Sequence, residues 1–230
     1  MAAFIIFIKL KNDSSGFLTS FERPTAGIIV DSFRDFLSAG MEATSSQLEW
    51  IIHFLAKYPS MQDKLLVEVD SVLPNNQLPS PLHLPRLPHT EAFIHETLRI
   101  SSSTPFGNFH SVLEDKEIAG YHIPKGTLVI GNLYAVNNDP EVWQSPHLFQ
   151  PERFITQDGK FSTGDNPVIA FGTGQRSCVG EGFARSQLFL FVVRILQNFK
   201  VTAVSDIRSA NTFSAFVAPQ PFQAVFQRRN

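Results

Sequence analysis

The stretch Phe171-Gly172-Thr173-Gly174-Gln175-Arg176-Ser177-Cys178-Val179-Gly180 holds the single cysteine of a 230-residue chain. It reads as a glycine-rich loop feeding a strongly apolar helix, predicted over 178–198. Gly172 and Gly174 permit tight turns and a close approach of the backbone to a flat ligand. Cys178 stands at the predicted helix start, where free N–H groups and the helix dipole favour a thiolate. Arg176 offers a fixed cation suited to a carboxylate or phosphate. A thiolate among apolar groups is costly unless it meets a metal. The alternative for a lone cysteine is a buried structural thiol.

One cysteine excludes an internal disulfide, and with it the disulfide-stapled secreted scaffolds. The balance of 19 basic and 21 acidic residues gives no reason to expect nucleic acid as a partner. Hydrophobic residues make up 43% and charged residues only 17%, against about 25% charged in ordinary soluble domains. With 22 phenylalanines, the expected apolar surface calls for a cofactor, a further segment, a partner or a membrane. The opening run Ala2–Ile8 is too short to span a bilayer, which takes about 20 apolar residues. It also lacks the basic residue and cleavage site of a signal peptide. A buried strand or the edge of a truncated element suits it better.

A long helix is predicted over 25–57, with Ile28, Ile29, Phe33, Phe36, Leu37 and Gly40 at helical spacing and Leu48, Ile51, Ile52 and Leu55 continuing it. Pro59 ends it. A second helix, Ser60 to Val72, takes Ser60 as its cap. The proline-rich connection from Pro74 to Pro88 excludes regular helix and central strand. A third helix is predicted over 90–100, and short strands from Pro105 to Ile130. A packed irregular stretch follows to Pro167. The apolar residues of 178–198 lie nearly all round, which predicts a buried core helix. Short strands at 212–217 and 223–227 close the chain. The fold class is mainly α with small β-sheets (α+β).

The loop matches F-x-x-G-x-R-x-C-x-G at Phe171, Gly174, Arg176, Cys178 and Gly180, and so resembles the haem-ligand signature of cytochrome P-450 enzymes. Five fixed positions arise by chance on the order of once in a million starts. Glu181-Gly182-Phe183-Ala184-Arg185 is similar to the microsomal group. Glu96-Thr97-Leu98-Arg99 resembles the family's E-x-x-R element and Pro151-Glu152-Arg153-Phe154 its P-E-R-F segment, with Trp143 in the stretch between. Ala39-Gly40-Met41-Glu42-Ala43-Thr44 resembles the oxygen-binding part of the long central helix, where the family pattern is A/G-G-x-D/E-T-T/S.

The resemblance implies haem b with Cys178 as axial iron ligand. Phe171, Gly172, Gly174, Arg176 and Gly180 would lie around the cofactor, and His110 at a propionate. Ala39 and Gly40 would flank dioxygen, with Glu42 and Thr44 assisting proton delivery. Ala43 departs from the pattern where a threonine is usual. Glu96, Arg99 and Arg153 would form a buried structural triad. Ser103, Thr104, Asn108 and Phe213 or Phe216 would face substrate, although for the phenylalanines ordinary core is an equal reading. His53, His83, His89, His95, His122 and His147 show no metal-ligand spacing and receive no role.

The implied activity inserts one oxygen atom of dioxygen into a small lipophilic substrate. Electrons come from NADPH through a reductase, at the cytosolic face of the endoplasmic reticulum. The resemblance covers about nine tenths of the chain but only the C-terminal half of the family's domain, leaving 1–24 unassigned and 25–230 as the haem-binding part. The fold expected is therefore the family fold truncated at its N-terminus, with no membrane anchor in the chain. A haem-binding module without turnover and a non-functional fragment are the alternatives.

Overall fold

The computed structural model describes residues 5–8, 26–165, 168–205, 207, 211–212 and 216–229. In chain order these form β1 (Ile5–Ile8), α1 (Ala26–Lys57), α2 (Pro59–Val72), α3 (Pro88–Ser101), β2 (Phe109–Ser111), β3 (Lys116–Ile118), β4 (Tyr121–Ile123) and β5 (Leu128–Gly131). They continue with α4 (Leu133–Asn137), α5 (Glu181–Asn198), β6 (Phe199–Ala203), β7 (Asn211–Thr212), β8 (Ala218–Pro219) and β9 (Ala224–Arg228). Helices dominate, and the strands make small antiparallel sheets, β1–β5–β2, β3–β4, β6–β9 and β7–β8. The chain is mainly α with small sheets.

Helix α1 has two unlike halves. Its C-terminal half buries Trp50, Ile51, Phe54 and Leu55 against α3, α5, β6 and β8. Its N-terminal half is exposed from Ala26 to Glu42, with Phe33 at 64% and Phe36 at 62%. The apolar spacing there secures the helix, but no described residue covers that face.

Three helix boundaries differ from the expected ones, each for a local reason. Helix α2 starts at Pro59, with no cap from Ser60. A first-turn proline has no N–H to orphan, so it opens a helix as readily as it closes one. Helix α3 starts two residues early, at Pro88. The Glu68 carboxylate of α2 accepts from the His89 and Thr90 amides, both at 2.8 Å, and from Thr90 Oγ1 at 2.7 Å. A side chain from another helix thus caps α3, a job usually done by the N-cap residue itself. Helix α5 starts at Glu181 and not at residue 178, because Cys178 still belongs to the loop, its amide bonded to the Phe171 carbonyl at 2.8 Å.

Helix α5 is also one-sided. It buries Leu188, Phe189, Val192, Val193 and Leu196, while Phe183 is 70% and Phe191 49% exposed. The proline-rich connection contains two 3-10 turns, Pro74–Asn76 and Pro81–Arg86. Strand β6, not anticipated, follows α5 directly and pairs with β9 from Phe199↔Arg228 to Ala203↔Ala224. Gln62 joins three elements: its Nε2 donates to the Leu55 and Val201 carbonyls (3.0 and 2.8 Å), and its Oε1 accepts from the Val201 amide (2.8 Å).

His53 is fully buried in an aromatic cluster, with ring centroids 5.3 Å from Trp50, 5.1 Å from Phe54 and 5.3 Å from Phe222. Neither ring nitrogen has a hydrogen-bond partner among the described residues. Burial, reinforced by the Lys57 charge, lowers its pKa to about 4. The unfolded imidazole titrates near 6.5. Below that pH the unfolded chain takes up a proton that the fold refuses until about pH 4, so stability is full above 6.5 and falls as pH drops through this window. The loss from this one group is expected to approach about 1.4 kcal/mol per pH unit within the window. His53→Phe should remove that slope and raise the unfolding free energy at pH 7 by about 1 kcal/mol, since no hydrogen bond is lost. Urea unfolding from pH 4 to 7.5 checks this; an unchanged slope in His53→Phe would contradict it.

Candidate active site

The loop 171–180 is shaped by two residues in left-handed backbone geometry. Gly172 and Gly174 both have φ +74°, which disfavours any residue with a Cβ. Gly174–Arg176 forms one 3-10 turn, after which Ser177 is extended. The Cys178 amide returns to the Phe171 carbonyl (2.8 Å) and the Glu181 amide bonds the Cys178 carbonyl (3.4 Å). The cysteine is thereby set just ahead of the N-terminus of α5. Cys178 is an exposed residue and not a buried structural thiol. A Cβ added at Gly180 would stand 3.8 Å from its sulfur. Arg176 is exposed and makes no ion pair among the described residues.

Helix α3 carries an ionic cluster whose Glu96 and Arg99 are fully buried and whose third member, Arg153, is part-buried. Glu96 and Arg99 are three residues apart on one helical face and form a two-pronged pair: Nε to Oε2 at 2.8 Å and Nη2 to Oε1 at 2.9 Å. Arg153, on the 3-10 turn Pro151–Phe154, adds Nε to Glu96 Oε1 at 3.2 Å, and the Gln150 amide donates to the same oxygen at 2.9 Å. Arg99 donates further to the carbonyls of Asn137 and Pro146, both at 2.8 Å. The Trp143 ring lies 5.3 Å from the Arg99 guanidinium and 5.9 Å from that of Arg153. Charges so deep are tolerated because none of the buried side-chain nitrogens and oxygens of Glu96 and Arg99 is left without a partner.

Other expected site residues are placed apart from these two groups. Ala39, Gly40 and Glu42 are exposed on α1, and Thr44 is half-buried. The helix runs through them with no break. A Cβ at Gly40 would meet nothing within 4 Å. His110 lies exposed on β2, opposite Val129 of β5. Among the described residues no side-chain hydrogen bond or ion pair joins Glu42, Thr44, Asn108 or His110 to the loop. Ser103 and Thr104 are half-buried after α3; Ser103 Oγ donates to Gln47 Oε1 (3.1 Å) and its carbonyl accepts from the Val217 amide (2.8 Å). Asn108 is exposed and Phe216 half-buried. Phe213 lies outside the described residues.

Two residues given no role by the sequence turn out to border the loop. Arg185 of α5 sits 4.9 Å from the Phe171 ring centroid, pairs with Glu181 at 2.8 Å, and contacts His95 Nε2 at 3.1 Å. The i,i+4 spacing of Glu181 and Arg185 was the available signal for the first pair; nothing local signals His95, which is 90 residues distant in sequence.

Comparison with known proteins gives the chain's family. The family model described as Cytochrome P450 matches residues 6–226. The chain is 38% identical over 216 residues to cytochrome P450 2L1 of Panulirus argus, covering 90% of this chain and 44% of that protein. It is 38% identical over 193 residues to cytochrome P450 2J1 of Oryctolagus cuniculus (84% and 38%) and 37% identical over 171 residues to human cytochrome P450 2J2 (74% and 34%). It thus spans less than half the length of each of these relatives. With the family model matching nearly its whole length, the chain belongs to the cytochrome P450 family.

Proposed function

We propose that this chain supplies the haem-thiolate site of a monooxygenase, with Cys178 as the axial ligand. The observation that carries the reading is the exposed Cys178, its sulfur without a hydrogen bond among the described residues, held on a glycine-turned loop whose backbone is tied to Phe171. The donor set suits haem: one soft thiolate for iron, a flat aromatic ring at Phe171 and, for a carboxylate, the Arg176 guanidinium, which has no ion-pair partner among the described residues. When bound, haem supplies activation of dioxygen, and a thiolate ligand favours O–O cleavage.

The chain's own residues do the rest. The Gly172 and Gly174 turns and the Phe171–Cys178 bond fix the direction of the sulfur. The Glu96–Arg99–Arg153 cluster ties α3 to the Pro151–Phe154 turn. Arg176 and His110 anchor the propionates. Ala39 and Gly40 leave room beside α1 for dioxygen, and Glu42 with Thr44 passes protons. Ser103, Thr104 and Asn108 face a small lipophilic substrate. Electrons reach the site from NADPH through a reductase, and family resemblance puts the whole at the cytosolic face of the endoplasmic reticulum. No helix among the described residues is long and apolar enough to cross a membrane.

NADPH-dependent oxygenation of a lipophilic probe, with reductase and the haem-loaded protein, tests this reading; haem bound without any product would leave a binding module. Ala43 bears on its efficiency. Thr44 lies about 100° round the helix from position 43, so it does not stand in for a hydroxyl there. Ala43→Thr is expected to raise the product formed per NADPH consumed, read together with peroxide release. Unchanged coupling would remove position 43 from the proton path.

A further inference from the structure

We infer that Arg185 and His95 form a positioning pair that fixes Phe171, and through it the backbone of Cys178. The inference rests on the assignment of Cys178 as the functional residue and adds what holds it.

Three contacts converge on one guanidinium. Arg185 Nε donates to Glu181 Oε1 at 2.8 Å, its Nη1 lies 3.1 Å from His95 Nε2, and its Cζ stands 4.9 Å from the Phe171 ring centroid. Arginine has no acceptor, so it must donate to His95, and His95 Nε2 must carry a lone pair. That fixes the imidazole as neutral with its proton on Nδ1. The surroundings enforce the same state. The His95 ring is buried, 4.6 Å from the Phe161 ring and 5.7 Å from the Phe154 ring. Burial and the Arg185 charge hold its pKa near 3, against a small opposing pull from the Glu91 backbone. Glu91, one turn earlier on α3, also feels the Arg185 charge, which opposes the rise that burial gives its carboxyl.

The consequence runs along one line. Helix α3 presents His95 to Arg185 and, at the next residue, Glu96 to Arg99 and Arg153. Arg185 carries that rigidity to the Phe171 ring. The Phe171 carbonyl accepts the Cys178 amide at 2.8 Å. The loop itself is largely exposed, so few other contacts restrain it. A flat cation held on two sides is better suited to pinning a ring than a mobile ammonium.

Backbone hydrogen–deuterium exchange of the full chain, without haem, reads this directly. Arg185→Met keeps the stem and removes the charge and the donors. It should speed exchange in the 171–180 segment, the Cys178 amide above all, by at least about tenfold, leaving the 188–196 core unchanged. His95→Leu should do the same, and His95→Gln, whose amide oxygen can accept from Arg185, should retain protection. Equal exchange in parent, Arg185→Met and His95→Leu would overturn the inference. If Arg185→Met exchanges everywhere, the His95 pair decides: Leu and Gln behaving alike would also overturn it. Because the measurement needs no haem, absence of a haem spectrum in the parent would count against the haem reading and leave this one standing.

Discussion

Cys178→Ser is expected to leave the fold intact and to abolish thiolate ligation of haem. Cys178 is exposed and its sulfur makes no hydrogen bond among the described residues, so the fold draws little from it; the change in unfolding free energy should stay within about 0.5 kcal/mol. The electronic consequence is all-or-none, because a serine hydroxyl neither ionises near neutral pH nor matches the softness of sulfur. The reduced, carbon-monoxide-treated variant should lose the thiolate-type Soret shift completely. Cys178→His should still hold haem, as imidazole is a good iron ligand, and should form no product. Retention of the shift or of oxygenation in either variant would contradict the assignment.

The second large effect is on stability. Arg99→Leu leaves the Glu96 carboxylate buried with Arg153 as its remaining ionic partner, and strips the Asn137 and Pro146 carbonyls of their donor. Breaking one side of a buried pair costs about 3–5 kcal/mol, a large fraction of the roughly 5–15 kcal/mol that holds a domain together. Arg99→Lys should recover only part of this, since an ammonium cannot reproduce the fork that reaches both Glu96 oxygens and two carbonyls. Replacing both partners with leucine should not restore stability, because the Gln150 amide and the carbonyls lose their partners as well. Urea midpoints of the four proteins check the order, and an Arg99→Leu shift below about 1 kcal/mol would contradict it.

Features written in local spacing were legible in the sequence. The glycine turns at 172 and 174 and the three-residue step from Glu96 to Arg99 depend on neighbours close in the chain, and both appear in the backbone and ion pairs. The attachment of Arg153 to Glu96, 57 residues away, came from family resemblance alone. What stayed hidden is pairing across long separations: Glu68 capping α3, Gln62 bridging to Val201 139 residues on, and Arg185 meeting His95. These polar side chains sit among apolar neighbours with no periodicity to mark them. Helices α2 and α3 start earlier than expected because Pro59, which reads as the end of α1, and Pro88, which reads as the end of the proline-rich connection, each open a helix, and because a tertiary cap leaves no signature beside the helix it caps. The exposed half of α1 carries the same apolar spacing as its buried half. Periodicity reports a helix with one apolar face, and cannot report what covers it.

The most direct test of the central claim is the carbon monoxide difference spectrum of the reduced 230-residue chain after loading with one equivalent of haem. A thiolate-type Soret shift, lost in Cys178→Ser and kept in Ala43→Thr, is the predicted result. Haem that binds without that shift, or a shift that survives in Cys178→Ser, would contradict the account.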